Sequence, residues 1–233
     1  MPSPDIRLPD SARRFSARPG IYAITGEVPE LPLEDIARAM LKGGAPVVQI
    51  RAKHATGQRI TQAAAALMPL FDAADSLLII NDDVKAARDS CAHGVHLGQG
   101  DLDPRVAREM LGPHAILGYS THHAGQVEQA LRWHEASGGM LFSYLAFGPL
   151  FPTATKHDAD PVTGTAILRE IRTMWPGPLV GIGGITIASM AELAAAGLTR
   201  PALISALMAH TSDGITSATA RMHSAWQQAL ESR

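Results

Sequence analysis

Short apolar segments alternate with helical patterns along almost the whole chain. Two clear segments lie close together, Leu-Leu-Ile-Ile at residues 77–80 and Gly-Val-His-Leu at residues 94–97. Each has the length and branched composition of a buried strand, and the stretch between them is too long for a hairpin but suits a short helix. A strand–helix–strand order predicts that the two strands are parallel neighbours in one sheet.

The same strand–helix unit occurs eight times. We predict the strands at residues 21–25, 46–50, 77–80, 94–97, 116–120, within 141–148, 179–182 and 202–205. Eight alternating units predict an α/β protein whose parallel sheet closes into a single-domain (β/α)8 TIM barrel. An open doubly wound sheet is the alternative, but it calls for a glycine-rich turn after the first strand, and Thr25-Gly26-Glu27 is not one.

Length and composition agree with one large core. The chain has 233 residues, of which 46% are hydrophobic, and barrels of this length commonly form one domain. Lys and Arg total 20 against 22 Asp and Glu, so no basic surplus indicates nucleic acid as a partner. Cys91 is the single cysteine, which excludes an internal disulfide and a cysteine-based zinc site. Its helical spacing from Val84 and Ala87 predicts a small core residue.

The first nineteen residues differ from the rest of the chain. They contain four Pro and four Arg without helical or strand periodicity, and they lack the apolar segment of a secretory signal. We therefore predict a flexible N-terminal tail at residues 1–19, or an arm on the surface, followed by the barrel domain at residues 20–233. No apolar run approaches the roughly 18 residues of a membrane span, and we expect a cytoplasmic protein.

Carboxylates follow two neighbouring strands. Asn81 and Asp82 end the third predicted strand, and Asp101 follows the fourth. Because parallel neighbours end at the same rim, Asp82 and Asp101 could share a hard cation, above all Mg²⁺ with a substrate phosphate completing its shell. The alternative is that both aspartates only cap the following helices.

Cationic side chains leave the second strand beside these carboxylates. Arg51 and Lys53 share one face of an extended segment. Two cations and two carboxylates fit a bound polyanion with Mg²⁺ between them. Without a ligand they would be an ordinary surface ion-pair group. Lys156, in the loop after the sixth strand, is a candidate third cation.

The last two strands have a different chemistry. Gly183 and Gly184 follow the seventh strand and Ser205 stands at the eighth, where many barrels hold a phosphate on backbone N–H groups. Alternatively, the glycines only make a tight turn. No elbow serine and no lysine isolated within a strand stands out as a nucleophile. Two phosphate sites therefore favour transfer from a diphosphate to a second phosphorylated substrate.

The loop at residues 148–164 is longer than the usual connection of about 2–6 residues. Residues 149–152 are stiff and apolar, so we expect them to stay docked on the barrel rim. Residues 153–160 are polar and include Lys156. We expect this middle part to act as a lid that closes over the diphosphate and excludes water.

An ordered set of motifs between residues 20 and 208 resembles the thiamine-phosphate synthase family. The motifs are Gln49-Ile50-Arg51-Ala52-Lys53, Ile80-Asn81-Asp82, Gly94 to Gln99 with Asp101, Gly118 with Ser120-Thr121-His122, Gly148 to Lys156, Gly181 to Ile185 and Ile204-Ser205. No single motif is specific, but their order is. Two segments depart from the family pattern: residues 197–202 before the eighth strand, and residues 138–143, which are longer than usual.

The resemblance implies the coupling of hydroxymethylpyrimidine diphosphate to hydroxyethylthiazole phosphate, with release of pyrophosphate. It implies Mg²⁺ held by Asp82 and Asp101. The implied contacts to the pyrimidine diphosphate are Gln49, Arg51, Lys53, Asn81, Ser120 and Lys156, of which Arg51, Lys53, Ser120 and Lys156 take part in catalysis. The implied contacts to the thiazole phosphate are Thr153, Thr155, Gly184, Ile204 and Ser205. Partners are then small phosphorylated molecules, with the oligomeric state open and a homodimer among the alternatives.

Two histidines leave other functions open. His122 follows the fifth strand, where related thiazole tautomerases have a histidine thought to transfer protons, so an isomerase is the enzymatic alternative. A non-catalytic phosphate-binding regulator on the same barrel is a third hypothesis. Retention of Asp82, Asp101 and the Arg51/Lys53 pair counts against both. His96 is interpreted as a hydrogen-bonded core histidine rather than an acid or base.

Overall fold

The computed structural model, which describes residues 6–152 and 163–232, contains a closed barrel of eight parallel strands. Each strand pairs with the next, and the last pairs with the first. The strands are β1 (Tyr22–Ile24), β2 (Val47–Ile50), β3 (Leu77–Asn81), β4 (Gly94–Leu97), β5 (Ile116–Thr121), β6 (Tyr144–Phe147), β7 (Leu179–Ile182) and β8 (Arg200–Leu203). This confirms the predicted TIM barrel.

Helices cover the outside of the barrel. They are α1 (Asp10–Ser16), α2 (Leu33–Lys42), α3 (Gly57–Ala73), α4 (Val84–Asp89), α5 (Pro104–Leu111), α6 (Ala124–Ala136), α7 (Ala166–Met174), α8 (Met190–Ala195) and α9 (Ser212–Glu231). Short 3-10 turns lie at Ile187–Ser189 and Ser205–Leu207. No helix in the described part of the chain is long and apolar enough to cross a membrane.

The core has two layers. The larger lies between the strands and the helices, as alternation of inward and outward side chains requires. The smaller fills the barrel itself with Tyr22, Ile79, Tyr144 and Val180 among others, and it also includes Phe15 from outside the barrel. Cys91 belongs to neither layer: it is exposed, with a left-handed φ of 56° in the turn after α4. The core position predicted for it is wrong, because the helical spacing ends at Asp89.

The eighth strand begins two residues earlier than predicted. Arg200 pairs in register with Val180, and its side chain is 1% exposed, although Arg-Pro is an unusual start for a buried strand. Ile204 and Ser205 therefore follow β8 rather than form its end. This places both residues at the rim, where the chain turns.

The described part of the N-terminal segment contains a helix that packs against the barrel. Helix α1 closes the bottom of the barrel, and the Phe15 ring stacks on Tyr144 with 4.2 Å between centroids. Arg200 donates hydrogen bonds to the carbonyls of Phe15, Arg18 and Gly20. Sequence periodicity missed this short helix because Arg200, its anchor, is 185 residues from Phe15 in the chain.

The N-terminal segment also contacts one of the two departures from the family pattern. His134 Nε2 lies 2.9 Å from the Arg7 carbonyl oxygen, and Ser11 Oγ lies 2.7 Å from Ser143 Oγ. Gly139 has φ 80°, and a Cβ there would lie 2.4 Å from the Arg7 oxygen. The longer segment before β6 thus serves as the surface on which the N-terminal segment packs.

Candidate active site

A cavity of about 620 Å³ opens at the C-terminal ends of the strands. It is lined by every described residue that the sequence assigned to the site. These are Gln49, Arg51, Lys53, Asn81, Asp82, Asp101, Ser120, Gly184, Ile204 and Ser205. Thr153, Thr155 and Lys156, together with the predicted lid at residues 153–160, lie outside the described residues.

Asp82 and Asp101 face each other rather than cap helices. The N-terminal caps of α4 and α5 are Asp83 and Asp103, whose side chains accept from the backbone N–H groups of Ala86 and Arg105. Asp82 has a left-handed φ of 65°, and its N–H donates to the His96 carbonyl at 2.9 Å. The helix-cap alternative for these two residues is therefore wrong.

The two carboxyl groups influence each other's protonation. Partial burial in the cavity, a hydrogen bond that protonated Asp82 donates to Asp101 and the charge of Asp101 raise the pKa of Asp82 to about 7, against the opposing effect of Arg51 and Lys53. Asp101 is oriented by its own turn, because its Oδ2 accepts from Gly98 N at 2.6 Å. Like charges this close favour either a shared proton or a cation between them.

The residues present fit a hard divalent cation. Both carboxylates offer oxygen ligands. The pair stands without a third protein ligand, since within the described ranges no group of three or more His, Cys, Asp or Glu side chains could hold a metal. Mg²⁺ commonly binds through one or two carboxylates and takes its remaining ligands from water and substrate phosphates. Asp82 and Asp101 are thus the candidate metal ligands.

The backbone of Arg51 is held where β2 ends. Its N–H donates to Thr25 Oγ1 at 2.8 Å, and the Thr25 hydroxyl donates back to the Arg51 carbonyl at 3.2 Å. Thr25 is fully buried, so the barrel itself fixes the start of the cationic segment. Arg51 and Lys53 both act electrostatically on Asp82, which places their charges around the same part of the cavity.

The glycines across the cavity have a reason of their own. Gly183 and Gly184 have φ values of 102° and 61°, in the left-handed region that disfavours side chains. A Cβ on Gly184 would lie 2.3 Å from the Pro152 carbonyl oxygen, and one on Gly183 would lie 2.7 Å from Pro149 Cα. The turn and the loop packed on it therefore require glycine here whether or not a phosphate binds.

The start of the long loop is docked, as predicted. Leu150 is fully buried, and its N–H donates to the Ile182 carbonyl at 2.9 Å, while that of Phe151 donates to Gly183 at 3.1 Å. The far end returns to the same place, since Thr163 N–H donates to the Pro149 carbonyl at 3.2 Å. The rim segment at residues 149–152 is thus docked on the barrel, and its Pro149 lines the cavity.

The cavity floor contains polar side chains that the sequence did not single out. Tyr22 lines the floor, and its hydroxyl accepts from Gln49 Nε2 at 2.9 Å. Tyr144 lies beneath, within 2.8 Å of the Tyr22 hydroxyl and 2.9 Å of His96 Nδ1. Burial raises the pKa of both tyrosines well above its usual value and lowers that of His96 to about 4. The alternation of inward and outward side chains along β1 and β6 could have identified Tyr22 and Tyr144 as residues that point into the barrel.

The family model described as thiamine monophosphate synthase matches residues 21–207. The chain belongs to the thiamine monophosphate synthase family. A thiamine-phosphate synthase from Chlorobium phaeovibrioides is 39% identical over 196 residues, covering 84% of this chain and 90% of that protein. One from Roseiflexus castenholzii is 38% identical over 209 residues, covering 89% of this chain and 88% of that protein.

A solved structure agrees with this assignment. The thiamine phosphate pyrophosphorylase from Pyrococcus furiosus superposes with a TM-score of 0.75 at 31% identity, over 94% of this chain and 98% of that one. Several aldolase and synthase barrels superpose at 14–18% identity; they share the fold. Membership in the thiamine monophosphate synthase family thus rests on sequence and structure together.

His122 connects the fifth strand to the long loop. Its Nδ1 lies 2.7 Å from the Gly148 carbonyl oxygen, and its backbone N–H donates to Gln126 Oε1 at 2.7 Å. Because a carbonyl oxygen only accepts, Nδ1 carries the ring proton. His122 also lines the cavity, so in this member of the thiamine monophosphate synthase family it lies at the site while it holds the base of the loop.

Proposed function

We propose that the protein is a thiamine-phosphate synthase, a transferase that couples hydroxymethylpyrimidine diphosphate to hydroxyethylthiazole phosphate and releases pyrophosphate. The observation that carries the proposal is that this family member has its carboxylate pair, its cations and its glycine turn around one cavity. That arrangement supports two anionic substrates bound side by side, with their reactive ends toward each other.

The half of the cavity at β2–β5 suits the diphosphate substrate. Arg51 offers a planar pair of donors and Lys53 a mobile charge, and in our proposal Asp82 and Asp101 hold Mg²⁺. When bound, Mg²⁺ supplies positive charge against the leaving diphosphate. Further contacts in this half are assigned to Gln49, Asn81, Ser120 and Lys156.

The half at β7 and β8 suits the monophosphate substrate. Gly184 has no side chain that could shield its backbone N–H from a ligand. Ser205 begins the 3-10 turn after β8. Backbone N–H groups and a hydroxyl are sufficient donors for a phosphate. We assign the thiazole phosphate to this half, with Thr153, Thr155 and Ile204 as further contacts.

The reaction proposed for this site is dissociative. The bond between the pyrimidine methylene and the diphosphate oxygen breaks with its electron pair leaving on oxygen, and the aminopyrimidine stabilises the resulting cation. The thiazole nitrogen then donates its lone pair to the methylene. Arg51 and Lys53 stabilise charge on the departing pyrophosphate, while the docked segment at residues 149–152 limits access of water.

Mixing both substrates with the purified protein, with and without Mg²⁺, tests the proposal. We expect thiamine phosphate and pyrophosphate in equal amounts, and only when Mg²⁺ is present. Isomerisation of the thiazole phosphate without pyrophosphate would identify a tautomerase, and binding without any product would identify a regulator. A cytoplasmic location and a homodimer stay predictions; sedimentation of the pure protein measures the second.

A further inference from the structure

A chain of hydrogen bonds crosses the barrel beneath the cavity and joins two of the proposed substrate contacts. It starts at Gln49 Nε2, passes through the Tyr22 and Tyr144 hydroxyls to His96 Nδ1, and ends at the Ser120 hydroxyl, 2.8 Å from His96 Nε2. Gln49 and Tyr22 are at most 2% exposed and Tyr144 is fully buried.

The first bond favours one direction for the others. Gln49 Nε2 can only donate, so the Tyr22 oxygen accepts. We infer that Tyr22, with one lone pair used, is the donor in its 2.8 Å contact with the Tyr144 hydroxyl. Tyr144 then donates to His96 Nδ1. An uncharged imidazole with Nδ1 as acceptor carries its proton on Nε2, which donates to Ser120 Oγ. The hydroxyl proton of Ser120 is therefore left to point elsewhere, and Ser120 lines the cavity.

Packing keeps Tyr144 in the middle of this chain. Its ring is stacked on Phe15, with 4.2 Å between centroids and 11° between ring planes. It is also nearly parallel to the His96 ring, with 5.6 Å between centroids. A Cβ on Gly118 would lie 2.0 Å from Tyr144 Cζ, so glycine in β5 makes the space for this ring. The N-terminal helix and the barrel together hold the hydroxyl in place.

We propose that Tyr22 and Tyr144 are positioning residues that set Ser120 as a hydrogen-bond donor toward the diphosphate substrate. The inference deepens the proposed function and rests on it for the identity of the ligand. A diphosphate presents only acceptor oxygens, so a serine oxygen directed at it would repel it. In the reversed chain the Gln49 amide is turned round and His96 is protonated on Nδ1. Ser120 would then donate its proton to His96 Nε2 and present only its oxygen lone pairs to the cavity.

The proton on His96 can be located without substrate. In protein labelled with ¹⁵N-histidine, the ring nitrogen shifts distinguish a protonated from an unprotonated nitrogen, and His96→Gln identifies the signals. We expect Nε2 protonated and Nδ1 unprotonated in the free protein near pH 7. A proton on Nδ1, or on both nitrogens, overturns the proposal, and this result does not depend on the proposed reaction.

A double-mutant cycle on binding tests whether Tyr144 acts through Ser120. By calorimetry, Tyr144→Phe and Ser120→Ala should each weaken binding of hydroxymethylpyrimidine diphosphate roughly three- to tenfold, as for a lost neutral hydrogen bond. The double variant should bind no more weakly than Ser120→Ala alone. If the losses of affinity in the two single variants multiply in the double variant, Tyr144 acts independently of Ser120, and the proposal is overturned.

Tyr119→Phe is the matched control. Tyr119 is also buried in this part of the barrel, on β5, but its ring packs outward against Phe142 and Trp133. Loss of its hydroxyl should leave affinity and the His96 signals unchanged. If the wild-type protein shows the expected His96 proton but releases no pyrophosphate from the two substrates, the proposed function fails while the proton order stands.

Discussion

The two halves of the cavity are built in different ways. Around β2–β4 the functional groups are charged side chains such as Arg51, Asp82 and Asp101, which reach into the cavity from strand ends. Around β7 and β8 they are backbone groups at Gly183 and Gly184, pressed against the loop at residues 149–152. One half provides charge, and the other provides shape.

This difference predicts how each half responds to substitution. A charged side chain at the rim can be replaced without disturbing the barrel, so its loss should appear in substrate affinity or turnover. A glycine at positive φ that touches another loop cannot be replaced without moving that loop, so its loss should appear in stability as well. The predictions below test this contrast, from the largest expected effect to the smallest.

Asp101→Asn should give the largest effect. It keeps the size of the side chain but removes one of two negative charges facing the proposed Mg²⁺ and leaving diphosphate. We expect kcat to fall on the order of a hundredfold or more, as for other lost transition-state stabilisers, without a fall in the melting temperature. A near-normal rate at limiting Mg²⁺ would exclude Asp101 as a metal ligand.

Arg51→Lys should separate the two substrates. The substitution keeps the charge but removes the planar pair of donors. We expect about a tenfold rise in KM for the diphosphate substrate, the order of a charge-assisted hydrogen bond, and no change for the thiazole phosphate. Equal loss for both substrates would mean that the end of β2 has been disturbed instead.

Gly184→Ala should affect stability and affinity together. At φ 61° an added Cβ meets the Pro152 oxygen, and left-handed backbone costs a non-glycine residue about 1–2 kcal/mol by itself. We expect KM for the thiazole phosphate to rise several-fold and the melting temperature to fall. The control is Gly164→Ala, because Gly164 has φ 71° but nothing within 4 Å of a Cβ.

The control separates strain from contact. Gly164→Ala should lower the melting temperature by roughly 2–4 °C per kcal/mol of strain and leave the KM for both substrates unchanged. If Gly184→Ala behaves like Gly164→Ala in both measurements, the loop contact at Gly184 has no part in binding, and the phosphate lies elsewhere.

The smallest effect concerns pH. The pKa of Asp82 rises from 3.8 to about 7 in the folded protein, so between these values the folded state holds more protons than the unfolded state. This group therefore lowers the stability of the Mg²⁺-free protein as pH rises from about 4 to 7. Asp82→Asn should flatten that part of the melting-temperature profile, whereas Asp213→Asn, at an exposed position, should not.

Added Mg²⁺ gives the same experiment a second readout. At pH 8 it should raise the melting temperature of the wild-type protein, since a ligand that binds only the folded state stabilises it. It should not do so for Asp82→Asn. A wild-type profile that stays flat between pH 4 and 7 would show that Asp82 and Asp101 do not interact in solution.

Local pattern was enough to predict the barrel and most of its rim. Each strand is a short apolar segment followed by a helix, and β4 and β7 lie at the predicted residues. Strand ends in a closed parallel barrel meet at one rim, so residues far apart in the chain, such as Arg51 and Ser205, could be assigned to one cavity. Periodicity and topology together were sufficient to predict the barrel and these rim residues.

Contacts between distant segments decided the rest. Which aspartates cap helices, and which face each other, depends on backbone angles of single residues such as Asp82. The closure of the barrel bottom depends on Arg200, which donates to the Phe15 carbonyl in α1 and to the carbonyls of Arg18 and Gly20 after it. The polar floor depends on Gly118, which makes room for Tyr144. The sequence determined the repeating unit because strand and helix patterns are local. The tertiary structure decided the floor and the paired carboxylates because each depends on side chains that meet only after the barrel closes.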